Sequence, residues 1–318
     1  MIYKLYFQNV LTGEVWDLAP VVKSFNLSSK RSGSPSKLEV ELLSTMSFPE
    51  GSMIALTAGT HKLFYGYLFR IRRNKNGKHL LTFFDQKKYL LRKETYVFQN
   101  STLASIITSI AKDFELKVGK LVGPSAKMPT MLKEEKTAVD IIEESIDQIL
   151  VQTGELTVFW DDYGQLRLDY PKNLAILTIL GEGSIVTDFD YERSIEDSAN
   201  VVKLLHEDGE SGKRTMYHFI DSNNIKKWGR LQYFKVVDEN LNPAQINSMG
   251  QMLIKLKNKP KETIKLSMSV GDFDFIAGRS AYVDLPEIKV KGWYLLESVE
   301  HKVTASSHTM EVELWLGG

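Results

Sequence analysis

The sequence predicts an α+β protein that is mainly β, with two antiparallel β-barrel or β-sandwich domains flanking a small α/β module. Short alternating segments separated by turn residues fill residues 1–90. Two helices with regular apolar stripes and one hairpin occupy residues 91–174. Alternation returns over residues 175–318, with one helix near 243–257. Because 318 residues exceed one compact core of common size, we expect these three stretches to be domains.

The first β block is predicted to be a series of short strands. A polar loop at 28–36 and a turn at 49–51 interrupt the alternation. Asn76-Gly77 supplies the positive φ angles that a tight hairpin turn requires. The predicted strands are residues 1–7, 21–27, 38–42, 67–72 and 80–84.

The α/β module contains the first convincing helix, for which Asn100 or Ser101 is the expected N-cap. A second helix begins near Thr137, with Asp140 as a variant of the capping box and Gly154 at its end. A hairpin follows, with its turn at 161–164. The apolar stripes are Leu103, Ile106, Ile107, Ile110, Ala111 and Phe114 in the first helix, and Val139, Ile142, Ile146, Ile149 and Leu150 in the second.

The last β block contains one predicted helix among strands. Asn242 is its expected cap, Pro243 takes the first helical position and Gln245 lies three residues after the cap. The spacing predicts a hairpin that pairs residues 201–206 with 216–220 across a turn at 207–212, and strands at 264–270 and 310–316.

A repeated sequence pattern occurs at the ends of the two β blocks. A glycine, an aromatic-led strand, a turn and a return strand occur at 66–84 and again at 292–316. This pattern is consistent with two β domains of like design.

Composition argues against several classes of protein. Lys plus Arg and Asp plus Glu both total 40, and nucleic-acid affinity depends largely on a basic excess, so we expect no sequence-specific nucleic-acid partner. The absence of cysteine excludes disulfides, a thiolate nucleophile and a Cys-based zinc site. No window approaches the roughly 18 apolar residues of a membrane helix, and the N-terminus lacks signal-peptide features. We therefore expect no stable membrane insertion and no Sec export.

Two adjacent acidic pairs are the first candidates for acid/base chemistry. Neighbouring side chains in a strand or helix point to different faces, so neither pair is expected to converge on one substrate atom. We assign Asp161 and Asp162 to the hairpin turn, and Glu143 and Glu144 to the solvated face of the second helix.

Histidines and a basic aromatic segment are the other candidates. His206 with His218, and His301 with His308, are possible cross-strand pairs that could ligate a metal, but no spaced carboxylate completes a set, which favours exposed or half-buried strand histidines. The segment 67–73 could bind nucleic acid or sugar, but its alternation favours a half-buried strand with Arg70 and Arg72 outward. The sequence predicts no catalytic, cofactor-binding or metal-binding residue.

Several short segments, in order along the chain, resemble the phage tail hub proteins of the XkdQ/YqbQ type, a contractile-tail hub family of the late control protein D kind. These segments are Phe84-Asp85-Gln86, Tyr89-Leu90-Leu91, the run 96–102, Gly154-Glu155-Leu156, Asn258-Lys259-Pro260, Ile264-Lys265-Leu266, Gly271-Asp272, Gly278 and Gly292-Trp293-Tyr294. The resemblance runs from about residue 65 onward, whereas the first 60 residues match only in character.

The resemblance implies a non-enzymatic structural hub of a tail baseplate, assembled in the host cytoplasm. In that family two tube-like β domains per subunit allow a homotrimer to imitate a hexameric ring. The implied partners are the tail tube protein, the trimeric spike and, as a further candidate, the tape-measure protein. No cofactor is implied, and the sequence names no interface residues, because exposed and interface strand faces alternate alike. Phage, prophage and bacteriocin particles remain equally open as the source.

Two other functions stay open. A cell-wall or carbohydrate-binding module would be favoured by a cleft lined with clustered, exposed tryptophans and tyrosines. A hydrolase would require carboxylates from distant segments to meet.

Overall fold

The structure is a computed structural model that describes residues 3–181, 183–209 and 212–315. Met1 and Ile2 of the first predicted strand, Glu210 and Ser211 of the predicted turn, and Leu316 of the last strand lie outside the described residues. The described chain is mainly β, as the sequence predicts, and it contains four α-helices, of which the short helix at 222–228 was not predicted. Its buried apolar side chains form four clusters.

The N-terminal β unit, residues 3–84, curves around the first apolar cluster. In its strand over 37–43, Leu38, Val40 and Leu42 are fully buried while the charged residues between them are more exposed, so simple alternation sets the two faces. All five predicted strands are present. The strands are β1 (Tyr3–Gln8), β2 (Val15–Asp17), β3 (Val22–Lys30), β4 (Lys37–Leu43), β5 (Met53–Ala58), β6 (His61–Arg73) and β7 (Lys78–Phe84).

The α/β module packs helices α1 (Leu103–Asp113) and α2 (Ala138–Thr153) against short strands. The predicted cap of α1 is wrong. Ser101 and Thr102 pair with residues 127–128 and keep the backbone extended, so Thr102 becomes the N-cap and its Oγ1 accepts from the Ser105 N–H at 3.2 Å. Thr137 caps α2 as predicted, and Gly154 ends it with φ 75°. The strands are β8 (Lys93–Phe98), β9 (Ser101–Thr102), β10 (Val118–Leu121), β11 (Lys127–Met128), β12 (Met131–Thr137), β13 (Val158–Asp161) and β14 (Leu166–Asp169).

The last part of the chain forms a C-terminal β unit with an inserted α/β segment at 201–257. The predicted pairing of 201–206 with 216–220 is confirmed. The predicted strand 264–270 is too long: it ends at Met268, and Val270 is 60% exposed, because the chain turns at Gly271, whose N–H donates to the His308 carbonyl at 2.7 Å. The elements are β15 (Ala175–Gly181), β16 (Val186–Ser194), β17 (Val201–Glu207), β18 (Arg214–Ile220), α3 (Ser222–Trp228), β19 (Gln232–Val236), α4 (Pro243–Lys257), β20 (Lys261–Met268), β21 (Ser280–Leu285), β22 (Val290–Thr304) and β23 (His308–Trp315).

The two β units repeat one strand order. It is β3-β4-β7-β6-β5-β1 in the first unit and β16-β20-β23-β22-β21-β15 in the second. Neighbours are antiparallel in both, except that β15 runs parallel to β21 whereas β1 is antiparallel to β5. The repeated sequence pattern at 66–84 and 292–316 corresponds to the hairpins β6–β7 and β22–β23, which are part of this longer structural repeat.

Irregularities of the pairing also coincide between the units. An extra residue bulges near the start of β3 at Lys23 and of β16 at Thr187. A second bulge lies at Phe69 in β6 and at Glu297 in β22. Because a bulge changes the register of everything beyond it, two matched bulges align the units residue by residue.

The long strand β22 joins the two units. Leu295 pairs with β21 on one edge and with β23 on the other. The edge that β21 occupies over residues 290–295 is taken over by β3 of the first unit at 298–304. The two β units are therefore joined edge to edge as parts of one 13-stranded sheet. The domain boundaries at 90/91 and 174/175 stay a prediction.

The capping box of α4 offers a direct test of a local prediction. Asn242 accepts from the Gln245 N–H at 3.0 Å, and the Gln245 side chain accepts from the Asn242 N–H at 2.9 Å. We expect Asn242→Ala to lower the free energy of unfolding by about 1 kcal/mol, since the Gln245 N–H of the first turn loses the side-chain oxygen that accepts from it. Urea denaturation measures it. Gln251→Ala, on the exposed face of the same helix, is the control, and an equal loss there would contradict the capping explanation.

Candidate functional site

The paired carboxylates of the hairpin take structural roles. Asp161 Oδ1 accepts from the Gly164 N–H at 2.8 Å, and Asp162 forms an ion pair with Arg167 at 3.1 Å. Both contacts lie within the hairpin, which agrees with the turn assignment.

A second carboxylate, which the sequence analysis does not single out, lies near Asp161. Asp85 is 1% exposed, and its oxygens accept from the N–H groups of Ser36 at 2.8 Å and Lys87 at 3.0 Å. Burial raises the pKa of Asp85, and burial together with the Asp85 charge raises the pKa of Asp161 to about 7. Asp161 Oδ2 has no partner among the described residues. These contacts place two interacting carboxyl groups where the end of β7 meets the module.

The helix carboxylates Glu143 and Glu144 are not both solvated, so that expectation is wrong. Glu143 accepts from the Gly33 N–H at 2.5 Å and so ties α2 to the 31–36 loop of the N-terminal unit; burial raises its pKa. Glu144 contacts Lys133 at 2.8 Å and Lys136. Burial alone would raise the pKa of Glu144, but the hydrogen bonds from the two lysines lower it below its usual value.

Only one of the two predicted histidine pairs forms. His206 lies opposite Thr215 and His218 opposite Lys203, three pairs apart in the ladder, so the first pairing is wrong. His301 and His308 do meet, with Nδ1 and Nε2 3.0 Å apart, but they are 2% and 8% exposed and therefore buried, not strand-surface residues. His301 Nε2 donates to the Phe275 carbonyl at 2.8 Å, and burial lowers the pKa of His301 to about 4. Nowhere in residues 3–181, 183–209 and 212–315 do three or more His, Asp or Glu side chains cluster as metal ligands would.

The aromatic residues of the 67–73 segment pack within the molecule. The Tyr67 and Phe69 rings each lie 5.6 Å from the Tyr89 ring. Arg70 and Arg72 are exposed, as predicted for a half-buried strand. The aromatic side chains of β6 thus pack against the segment that links β7 to β8.

Several strand edges of the 13-stranded sheet are unpaired within the described chain: the outer edges of β2 and β15 are free, and so are the two edges described next. Beyond Leu68, residues 70–73 of β6 pair only with β7, because β5 reaches no further than Tyr67. Strand β16 pairs only with β20 and ends the sheet. Such an edge presents free N–H and C=O groups that favour pairing with another strand.

The two free edges carry opposite charge. Arg70, Arg72 and Arg73 are exposed on β6 and make no ion pair with any described residue. Asp188, Asp190 and Glu192 are exposed on β16, where Arg193 already pairs with Glu262 at 3.1 Å. The two free edges, defined as residues 70–73 and 186–194, are the candidate functional site, and the sequence analysis assigned no interface role to either of them.

The model of the family described as YqbQ-like matches residues 25–315. This chain belongs to the YqbQ-like family. Protein YqbQ of Bacillus subtilis (strain 168) is 28% identical over 304 residues, and the phage-like element PBSX protein XkdQ of the same organism is 26% identical over 304 residues. Each alignment covers 92% of both chains. The resemblance stated from the sequence is confirmed at the level of the family.

Solved structures share the fold. The 43 kDa tail protein of prophage MuSo2 from Shewanella oneidensis has a TM-score of 0.73 at 12% identity, over 98% of each chain. A component of the type VI secretion system of E. coli, which itself resembles the T4 bacteriophage tail proteins gp27 and gp5, has a TM-score of 0.57 at 10% identity, over 93% of this chain and 73% of its own. At these identities the likeness establishes the fold. No helix in the described part of the chain is long and apolar enough to cross a membrane.

Proposed function

We propose that this chain is a structural hub of a phage or phage-like contractile tail baseplate, and that it acts without catalysis. Three copies form a ring that joins the six-fold tail tube to the three-fold spike, and the tape-measure protein is a further candidate partner. Its place is the tail baseplate, after assembly in the host cytoplasm. The name of XkdQ, a protein of a phage-like element, supports the phage assignment, and the name of the Shewanella prophage tail protein supports the tail assignment.

One observation carries the proposal. A single chain contains two β units with the same strand order and matched bulges, joined edge to edge in one sheet. Three such chains present six like units, which is the number a six-fold tube requires. A closed ring needs the same heterologous contact at every joint, and the two free edges provide one.

The test is the mass of the purified chain by light scattering over a concentration series. We expect a species near three times the 36.2 kDa chain, alone or with a candidate spike protein added. Electron microscopy of that species is expected to show six lobes around a lumen. A monomer at every concentration, even with the spike present, would exclude the hub.

A carbohydrate-binding module is the second candidate, because Trp293, Tyr294 and Trp315 line a cleft of about 570 Å³. The lining of this cleft offers few polar groups to a ligand. Lys172 is its charged residue, and the Ser280 hydroxyl already donates to the Pro171 carbonyl at 3.0 Å. Sugars need several hydrogen-bonding partners, so this observation ranks below the repeat. Binding to purified cell wall that is lost in Trp293→Ala, with the mass of the chain unchanged, would reverse that order.

A further inference from the structure

We propose that β16 of one copy adds to β6 of the next copy, antiparallel, in the register that β3 adopts on β22 within the chain. This inference rests on the proposed hub, since it names the contact through which the copies meet. It assigns a residue-level partner to each of the two free edges.

The matched bulges transfer the register. Leu68 and Leu296 precede the bulges of β6 and β22, so Arg70, Ile71 and Arg72 correspond to Ser298, Val299 and Glu300. The bulges at Lys23 and Thr187 likewise align β3 with β16, so Asn26, Ser28 and Lys30 correspond to Asp190, Glu192 and Ser194.

The internal joint then predicts the pairs between copies. Glu300 lies opposite Ser28 in the structure, so Arg72 is expected opposite Glu192 of the next copy. Ser298 lies opposite Lys30, which places Arg70 opposite Ser194. Lys302 lies opposite Asn26, which places Asn74 opposite Asp190. The predicted register therefore sets Arg72 directly against Glu192, a favourable cross-strand pair, and neither side chain forms an ion pair with any residue that the structure describes.

Burial of the other strand face supports the same contact. At the internal joint, Val299, Phe25 and Leu27 are 1%, 1% and 7% exposed. The corresponding residues at the free edges, Ile71, Phe189 and Tyr191, are only half-buried. Addition of a strand would cover these three side chains as β3 and β22 cover theirs, and burial of apolar area favours association.

The two edges belong to different units: β16 ends the sheet in the C-terminal unit, and β6 lies next to β7 in the N-terminal unit. The contact therefore joins the C-terminal unit of one copy to the N-terminal unit of the next. It is heterologous, and repeated heterologous joints form a ring when the rotation from one copy to the next closes, as the proposed hub requires.

Cysteine cross-linking tests the register, and the natural chain contains no cysteine to interfere. Directly opposite side chains have Cβ atoms about 4.5–5.5 Å apart, close to disulfide geometry. The double variant Arg72→Cys with Glu192→Cys is expected to form disulfide-linked multimers up to the closed ring under mild oxidation. A mixture of the two single variants should stop at a covalent dimer. The control, Arg72→Cys with Asp188→Cys, moves one cysteine four residues away, about 13 Å along the strand, and should link poorly.

Charge exchange provides an independent readout on the same pair. Arg72→Glu and Glu192→Arg are each expected to raise the dissociation constant of the oligomer roughly tenfold, because every joint then holds like charges. The double exchange should restore assembly. A wild-type trimer in which neither exchange matters and 72–192 does not cross-link would overturn the register and leave the hub intact. A wild-type chain that stays monomeric with the spike present would overturn both.

Discussion

Phe25→Ala is expected to lower the free energy of unfolding by about 3–5 kcal/mol. Phe25 is 1% exposed, its ring lies 5.0 Å from the Tyr3 ring, and it pairs with Val303 at the joint between the two β units. Strand β3 is flanked by β22 on one side and by β4 on the other. Truncation of Phe25 therefore leaves a cavity that the rigid sheet cannot fill. Urea denaturation at low protein concentration measures this loss without a contribution from association.

Phe189→Ala is the matched comparison, because Phe189 occupies the equivalent position in β16. Its ring is half-buried at a free edge, so we expect a smaller loss of about 1–2 kcal/mol in the isolated chain. If β16 adds to β6 of the next copy, the same change also weakens the oligomer at high concentration, which light scattering would detect. Equal losses for Phe25 and Phe189 would contradict the assignment of one position to an occupied joint and the other to an open edge.

The dependence of stability on pH is expected to contain two opposing contributions in one window. His301, which faces His308 and Asp272, has a pKa of about 4 in the folded chain against about 6.5 unfolded. Between these values the unfolded chain binds more protons, so stability falls as pH drops from 6.5 to 4, by on the order of 3 kcal/mol.

Asp161 acts with the opposite sign. It faces Asp85 and Asp162, and its pKa of about 7 in the folded chain lies above the ordinary value of 3.8. The folded chain therefore binds more protons between pH 4 and 7, and stability rises as pH drops through that range. Since Asp161 is partly exposed, its contribution is smaller, on the order of 2 kcal/mol.

Single variants separate the two contributions. The difference curve between wild type and His301→Gln, from urea denaturation at pH 4 to 7.5, should isolate the loss of stability in acid. The difference curve for Asp161→Asn, which keeps the oxygen that accepts from Gly164, should have the opposite slope. Difference curves with the same slope would contradict the assigned environments.

Local features of this chain were predictable because their causes lie within a few residues. Alternation in 38–42 sets the buried face of β4, and the apolar spacing of 103–111 sets that of α1. The capping box at Asn242 needs only Gln245, three residues away. Family membership was also accessible, because the short segments that carry it occur in a common order.

Predictions failed where a distant partner decided the outcome. The N-cap of α1 is Thr102, and not Asn100 or Ser101, because pairing with residues 127–128 keeps the backbone extended at Ser101 and Thr102. The prediction that Glu143 is solvated failed because the Gly33 N–H of the first β unit donates a hydrogen bond to its carboxylate. The pairing of His206 with His218 failed because the hairpin register, set by its turn, separates them.

The sequence by itself determined the five predicted strands of the N-terminal unit, helices α1, α2 and α4 with their buried faces, and the family, since periodicity and capping act over a few residues. Only the tertiary structure decided that β22 serves two partners, that the β units share one sheet and matched bulges, and that two charged edges stay unpaired. The physical reason is that an alternating strand has the same pattern whether its edge meets solvent, a strand of its own unit or a strand of the other unit. Backbone hydrogen bonds between distant strands, not side-chain periodicity, make that choice.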